Sequence, residues 1–400
     1  MSLIAPIRPL KLDRARLAAI VLAAGASSRM GSFKPLLRLA GMTVLERNIA
    51  LLRDAGADEV LVVTGNRAEE LQPFAERCGA RCVHNANWEQ GMYSSVVAGV
   101  RALPDWAPGT FVLPVDVPLV RSATARRLAA TFASHPDKIV YPVFDGRRGH
   151  PPVVARSILN EALLDATRGP LFALLAAHER QAIEVPVADG AIHLDMDTPA
   201  AFEALAAVAP RREIPTVREC EALLALRHVA GTVVRHSRKV GEVAEQLAVA
   251  LVESGLAIDP KLARAGGFLH DLAKGEPDHA RAGAELLRAE DMPRVAEVVA
   301  SHTEMDFSGI IDECAVVYLA DKLVGGDRLV TLDERFQRAL DRFRGDPDAL
   351  AAARRRKATA ECVAAAIETR LGVTLEAILR TPAQAERDLM IPTAVESGRI

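Results

Sequence analysis

Up to about residue 208 the chain alternates between two kinds of segment, and this alternation limits its possible folds more than any other feature. Short apolar runs at residues 18–22, 59–63, 80–84, 110–115, 138–144 and 182–187 read as strands. Stretches with helical periodicity separate them, for example 44–55, 67–77, 94–103 and 123–133. Strands alternating with helices of this length predict βαβ units, and hence a mostly parallel sheet covered on both faces.

Around Ala209 the pattern stops. Residues 209–215 (Ala-Pro-Arg-Arg-Glu-Ile-Pro) form a polar, proline-bracketed stretch, and beyond it no convincing strand appears. Helices rich in Leu, Ala and Val run to about Leu379, followed by a polar tail. A chain of 400 residues is in any case too long for one ordinary domain. The expected organisation is an extension at 1–15, an α/β domain at 16–208, a linker at 209–216, an all-α domain at 217–385 and a tail at 386–400. With aromatics at only 4%, both cores must be built from small aliphatic side chains.

Bulk properties exclude several classes. The formal net charge of −3 shows no basic surplus of the kind nucleic-acid binding requires. No apolar run is long enough to span a bilayer. Lys11, Arg14 and Arg16 precede the apolar residues 17–26 and mimic a signal peptide, but that run is short and flows into a Ser-Ser-Arg-Met-Gly loop. It reads as a buried strand and loop. Five cysteines are too few for a disulfide framework in this length, which points to a reducing, cytoplasmic setting. The charge run Arg354–Lys357 reads as a solvated helix face.

The first strand leads into a glycine-bounded loop, Leu22-Ala23-Ala24-Gly25-Ala26-Ser27-Ser28-Arg29-Met30-Gly31, followed by Lys34. Glycines let backbone N–H groups turn towards an anion, and Arg29 and Lys34 add positive charge suited to a triphosphate. No Gly-Lys-Ser/Thr closes the loop, so it is not a Walker A motif. Asp116 follows the apolar run 112–115, at the edge where open α/β sheets bind ligands, and can hold Mg²⁺ against phosphate oxygens. Asp195 and Asp197 supply a further acidic pair just before a helix, where Asp197 or Thr198 can also cap the helix starting at Pro199.

Together with Gly91-Met92-Tyr93-Ser94-Ser95, Asp116-Val117-Pro118, Gly149-His150-Pro151 and Asp195-Met196-Asp197-Thr198-Pro199, this loop resembles the MobA-like nucleotidyltransferases, in particular the MocA-type molybdenum cofactor cytidylyltransferases. The resemblance implies a Rossmann-like α/β fold. It also implies Mg²⁺-dependent transfer of a nucleotidyl group from an NTP to a phosphorylated or hydroxyl acceptor, with release of pyrophosphate. It assigns nucleotide binding to Leu22, Ala23, Ala24, Gly25, Arg29, Gly31, Lys34, Ser94, Ser95 and Asp116, catalysis to Arg29, Lys34 and Asp116, and Mg²⁺ to Asp116, Asp195 and Asp197. Ala23-Ala24-Gly25 goes with CTP in that family, where Ala-Gly-Gly goes with GTP. Residues 166–170 (Ala-Thr-Arg-Gly-Pro) replace the family's usual Gly-Asp-rich turn, which leaves the acceptor open between molybdopterin and another phosphorylated molecule such as a sugar or lipid head group.

The helical half holds His236, His270-Asp271, His279, His302 and Asp321, most of them in apolar helical context. An adjacent His-Asp pair is costly to bury unless something neutralises it, and a shared metal does so. Mixed imidazole and carboxylate ligands suit one or two Mn, Fe, Co or Zn ions, which can activate water and clamp phosphoryl oxygens. The order His…His-Asp…His…His…Asp resembles the HD-domain metal-dependent phosphohydrolases, particularly binuclear members acting on nucleotides, such as symmetrical dinucleoside tetraphosphatases. That resemblance implies a minimal metal set of His236, His270, Asp271 and Asp321, with His279 and His302 on a second metal, and His270 and Asp271 at the catalytic centre. Lys274 is a candidate phosphate contact or an ordinary solvated lysine.

The whole therefore reads as a bifunctional cytoplasmic enzyme acting on NTP and molybdopterin, with no nucleic-acid or membrane partner. The alternative is a nucleotide-sensing regulator of molybdoenzyme maturation, which would meet a molybdoenzyme or its chaperone. Cys78, Cys82 and His84 have zinc-like spacing but no fourth ligand, and are not read as a metal site. His150 is read as a substrate-side binding residue.

Overall fold

The computed structural model describes residues 16–26, 30–164 and 170–380. They form two compact units that part between Arg212 and Glu213. The expected extension at 1–15 and the tail at 386–400 lie outside the described residues.

In the first unit the strands are β1 (Leu17–Leu22), β2 (Arg38–Leu39), β3 (Met42–Thr43), β4 (Ala57–Thr64), β5 (Arg81–His84), β6 (Gly109–Pro114), β7 (Ile139–Phe144), β8 (Arg147–Arg148), β9 (Val153–Ala155) and β10 (Ala182–Pro186). The helices are α1 (Val44–Asp54), α2 (Ala68–Arg77), α3 (Met92–Arg101), α4 (Ser122–Ser134), α5 (Arg156–Leu164), α6 (Leu171–Ala177) and α7 (Pro199–Val208). β2 and β3 make a separate hairpin. The main sheet runs β10-β7-β9-β6-β1-β4-β5, with β8 paired to β7.

β1 is parallel to β4 and β6, β4 to β5, and β7 to β10. Every residue of β1 is buried, as a central strand covered on both faces must be. The parallel arrangement acquires two antiparallel additions that the alternation does not predict: β9 against β6 and β7, and β8 against β7. Both are too short to show a period of two, and β9 follows Pro151-Pro152, which reads as a strand breaker.

The order of strands positions the site. From β1 the chain moves to β4 and β5 on one side and then crosses to β6 on the other, so the sheet switches direction beside β1. Leu22 registers with Val63 and with Pro114, which places the ends of three strands side by side. Gly65 follows β4, where a Cβ would meet Trp88 Cβ at 2.5 Å, so glycine is what admits the indole next to Ala24. The proline-bracketed stretch is tied down at its start. Residues Ala209–Arg211 form a 3-10 turn, and Arg212 Nε donates to Leu119 O at 2.8 Å while its guanidinium binds the buried Asp189.

The second unit consists of α8 (Val217–Leu226), α9 (Gly231–Glu253), α10 (Pro260–Leu269), α11 (His279–Ala289), α12 (Pro293–Ala300), α13 (Glu313–Lys322), α14 (Leu332–Arg342), α15 (Pro347–Leu371) and α16 (Leu375–Arg380). Among the described residues it departs from the all-helical expectation at the two-residue pair β11 (Val324–Gly325) and β12 (Arg328–Leu329). Strands of that length carry no sequence signal. No described helix is long and apolar enough to cross a membrane, and all five cysteines are free thiols.

α9 and α10 meet backbone to backbone. A Cβ on Gly267 would stand 2.9 Å from Gly241 Cα and 3.0 Å from Val240 O, and one on Gly241 would stand 2.9 Å from Arg264 O. Neither obstacle is a side chain that can swing away. Replacing Gly by Ala inside a helix ordinarily gains ~1 kcal/mol, but here the overpacking cost of ~1–3 kcal/mol opposes it. Gly267→Ala is therefore expected to lower the melting temperature of the full chain. Gly231→Ala, whose Cβ meets nothing nearer than Arg235 Nη1 at 3.9 Å, is the control that should not. Equal melting of the two variants would contradict the packing argument.

Candidate active sites

In the first unit a cleft of ≈ 350 Å³ opens over the ends of β1 and β6. Its floor is Leu22, Ala23, Ala24 and Gly25, and Asp116 and Asp197 face it. The loop is pinned by the Ala23 N–H donating to Val63 O (2.9 Å) and the Asn66 N–H donating to Ala24 O (3.1 Å). Asn48 Nδ2 donates to Val115 O and the Met196 N–H to Asp116 O, which fix the segment carrying Asp116.

Lys34 is the electrostatic centre of this cleft. Its buried Nζ lies 2.6 Å from Asp197 Oδ1 and 3.6 Å from Asp116 Oδ2. Burial raises the Asp116 pKa; Lys34 opposes this, and the charges of Asp197 and Asp195 add to it. Two carboxylates thus converge on one ammonium at the cleft. That suits Mg²⁺, which needs only one or two carboxylates when substrate phosphates and water complete its shell. Asp195 is not among the cleft-lining residues, and its charge raises the Asp116 pKa.

Other residues expected from the sequence fall differently. Ser95 lines the cleft, whereas the Ser94 hydroxyl is turned to Gly91 O and Asn87 O. Asn85 Nδ2 donates to both serines, at 2.9 and 3.0 Å. Gly31 adopts φ +65 but is not part of the lining. Thr198 caps α7, accepting from the Ala201 N–H. His150 is buried away from the cleft, and burial pushes its imidazole down to about 4. Arg29, Ser27, Ser28 and residues 166–169 lie outside the described residues. Gly91 and Met92 of the Gly91–Ser95 motif line the cleft, Gly91 at φ +97, and so do Trp88 and Glu89, which were not singled out.

In the second unit the six His and Asp residues converge, and all but the buried His270 line one cleft. His236 lies in α9, His270 caps α10, Asp271 follows it, His279 opens α11, His302 lies just past α12, and Asp321 is in the last turn of α13. Two sets of three ligand atoms converge within 4.8 Å: His236, His270 and Asp321, and His270, Asp271 and His302. His279 Nε2 stands 3.2 Å from His302 Nε2 and 3.3 Å from Asp271 Oδ1.

The imidazoles are held in one orientation. His236 Nδ1 lies 2.8 Å from Gly326 O, His270 Nδ1 2.7 Å from Gly267 O, and His302 Nδ1 2.6 Å from Val299 O. A carbonyl only accepts, so each Nδ1 carries the proton and each Nε2 lone pair points into the cluster, the arrangement metal-ligating histidines use. His270 Nε2 is fully buried and has no hydrogen-bond partner. Lys322 Nζ, which also donates to His302 O, holds Asp321 Oδ2 at 2.8 Å and leaves Oδ1 facing His236.

The charges call for a cation. Burial opposes ionisation of Asp271, but the neighbouring His270 and His279, with the Lys274 ammonium at 3.1 Å, outweigh it and hold the carboxyl far below the usual range. Burial works against a charged His270 too, yet the carboxylates of Asp271 and Asp321, 3.5 and 3.6 Å from its Nε2, raise its pKa. Burial drives His302 down to about 3, leaving a neutral ligand. Orphaned Nε2, oriented imidazoles and ionised carboxylates all fit such an ion.

Comparison with known proteins separates the same two regions. Residues 19–183 match the family described as MobA-like NTP transferase domain, and residues 233–325 match the HD domain. The molybdenum cofactor cytidylyltransferase of Escherichia coli is 29% identical over 184 residues, 46% of this chain and 92% of that protein. The molybdenum cofactor guanylyltransferase of Xanthomonas euvesicatoria is 41% identical over 111 residues, 28% of this chain and 52% of its own length. A nucleotidyl transferase structure from Methanothermobacter thermautotroptrophicus aligns with 49% of this chain and 98% of its own, at 24% identity and a TM-score of 0.43.

A raised Asp116 pKa means the folded chain binds this proton more tightly than the unfolded chain does. The stability penalty is then absent below the ordinary carboxylate range and sets in as pH rises through the folded value. Asp116→Asn is therefore expected to melt above the wild type at pH 7.5 without Mg²⁺, with the gap closing towards pH 4. A variant that melts lower at neutral pH would show that Lys34 outweighs burial.

Proposed function

The chain joins a MobA-like NTP transferase domain to an HD domain, and from that premise we propose that the first unit transfers a cytidylyl group from CTP to molybdopterin while the second hydrolyses a phosphoester or phosphoanhydride of a nucleotide. The observation that carries the first half is Lys34, buried between Asp116 and Asp197 at the mouth of the Ala-Ala-Gly loop. A phosphate oxygen of the acceptor bonds to the α-phosphorus, the α–β anhydride bond breaks, and pyrophosphate leaves with the electron pair. Lys34, with Arg29 from the same loop, neutralises the charge that grows on the phosphoryl oxygens, where a preplaced cation lowers the barrier. Asp116 and Asp197 would hold Mg²⁺, with Asp195 adding negative charge, and the ion supplies charge neutralisation along the triphosphate.

Backbone N–H groups of the loop, Ser95 and Leu22 bind and orient the nucleotide in this reading. Ala23-Ala24-Gly25 favours CTP, and the Escherichia coli cytidylyltransferase supports that preference. The Xanthomonas guanylyltransferase keeps GTP as the alternative to be tested.

In the second unit His236, His270, Asp271 and Asp321 would hold one divalent ion, with His302 and His279 extending the set to a second. Such ions lower the pKa of bound water and polarise phosphoryl oxygens. The chain's own contribution is orientation. Gly326, Gly267 and Val299 carbonyls fix the imidazoles, and Lys322 holds Asp321 in place.

Two measurements check the proposal. With molybdopterin as acceptor, pyrophosphate release should require Mg²⁺ and favour CTP over GTP, and Lys34→Ala should lower kcat/KM by about 10²–10³; preference for GTP would overturn the base assignment. In metal analysis of the gel-filtered full chain, the wild type should retain divalent metal, and His270→Ala and Asp271→Ala should lose both metal and phosphohydrolysis while cytidylyl transfer persists. Undiminished metal in both variants would sink the second site.

A further inference from the structure

The His/Asp cluster occupies only one end of its cleft. The cleft measures ≈ 510 Å³, and its far wall comes from α14 and α15, both beyond the residues that match the HD domain. This wall is basic. It presents Arg335, Arg338, Arg342 and Arg356 against Glu334, while Lys274 and Lys322 line the cleft beside the carboxylates they pair with, Asp271 and Asp321.

The cations are ordered. Arg335, Arg338 and Arg342 recur at the three- and four-residue spacing that puts side chains on one helix face, and they span ~10 Å along α14 at 1.5 Å per residue. The row starts at the cluster, where Arg335 Nη2 lies 3.7 Å from Asp321 Oδ1. Arg356 faces the same space from α15. Among the described residues no carboxylate pairs with Arg338, Arg342 or Arg356, whereas nearby Lys357 is tied to Asp333 at 2.7 Å and Arg344 to Asp341 at 2.6 Å. The planar guanidinium grips phosphate oxygens two at a time, so a row of three along a cleft wall, only the first of them paired with a carboxylate, is placed for an anion.

We propose that Arg335, Arg338, Arg342 and Arg356 form a subsite for the outer phosphates of a polyphosphate chain, so that the second unit takes nucleotides bearing several linked phosphates in preference to phosphomonoesters. This rests on reading the unit as a phosphohydrolase and names its substrate class. The phosphate to be attacked sits at the His/Asp cluster, and those beyond it run along the arginine row. Arg335 belongs to both ends.

The test uses the full chain with Mn²⁺ and the series AMP, ADP, ATP and adenosine 5′-tetraphosphate, with p-nitrophenyl phosphate as the monoester. For the wild type, kcat/KM should rise with chain length. Arg338→Ala/Arg342→Ala should lower the ratio of adenosine tetraphosphate to p-nitrophenyl phosphate turnover by about tenfold or more, the worth of charge-assisted contacts. Arg338→Lys/Arg342→Lys should restore part of it. Arg354→Ala/Arg355→Ala removes the same charge from exposed positions outside the cleft and should leave the ratio alone. A flat series, or equal effects of the two alanine pairs, would overturn the subsite.

If the wild type hydrolyses none of these compounds, the phosphohydrolase reading fails, and binding still judges the row. Magnesium tripolyphosphate titrated calorimetrically into the full chain should bind Arg338→Ala/Arg342→Ala about tenfold more weakly than it binds Arg354→Ala/Arg355→Ala at the second unit's site. Identical isotherms would overturn the proposal.

Discussion

A carboxylate taken out of water costs several kcal/mol unless a cation or a set of donors meets it, and each unit sets that problem at the end of an apolar element. Asp116 follows a strand buried along its whole length, and Asp321 closes a helix buried from Ala315 onward. Much of the remaining site architecture follows from how the charge is met. In the first unit a buried lysine lies between two carboxylates. In the second, imidazoles, two lysines and an arginine gather round two carboxylates, and one buried ring nitrogen still lacks a hydrogen-bond partner.

Reaching that arrangement places demands on the backbone. Gly65 is needed so that Trp88 can stand beside Ala24 in the glycine loop. Gly241 and Gly267 are needed so that α9 and α10 approach closely enough for His236 and His270 to share Asp321. The Gly267 carbonyl also accepts the His270 Nδ1 proton, so one short stretch controls both the spacing of the helices and the direction of the ligand. The polar site and the tight packing are thus two consequences of the same local sequence.

The six longer strands were legible because each is an apolar run bounded by turn residues, and the helices between them because the period of 3.6 survives over ten residues or more. β8, β9 and the β11–β12 pair were not, since two or three residues show no period and Pro151-Pro152 argues against a strand. The six His and Asp positions could be read from residue type and order. The arginine row could not be told from a solvated face, because spacing alone does not say whether a helix face looks at water or into a cleft. Residues 354–357 make the point: the run looks uniform in the sequence, yet in the structure Arg356 turns to the cleft, Lys357 pairs with Asp333, and Arg354 and Arg355 face solvent.

What the sequence determined by itself was the change from α/β to helical architecture, the glycine loop, and the inventory of groups able to meet phosphate and metal. These depend on local periodicity and side-chain chemistry, which neighbours in the chain already define. Tertiary structure decided which of those groups face a cleft: Ser95 and not Ser94, Asp197 and not Asp195, three arginines of α14 and one of α15. Those choices depend on the direction of each side chain relative to elements distant in sequence. That direction is settled only when strand register and helix packing are complete.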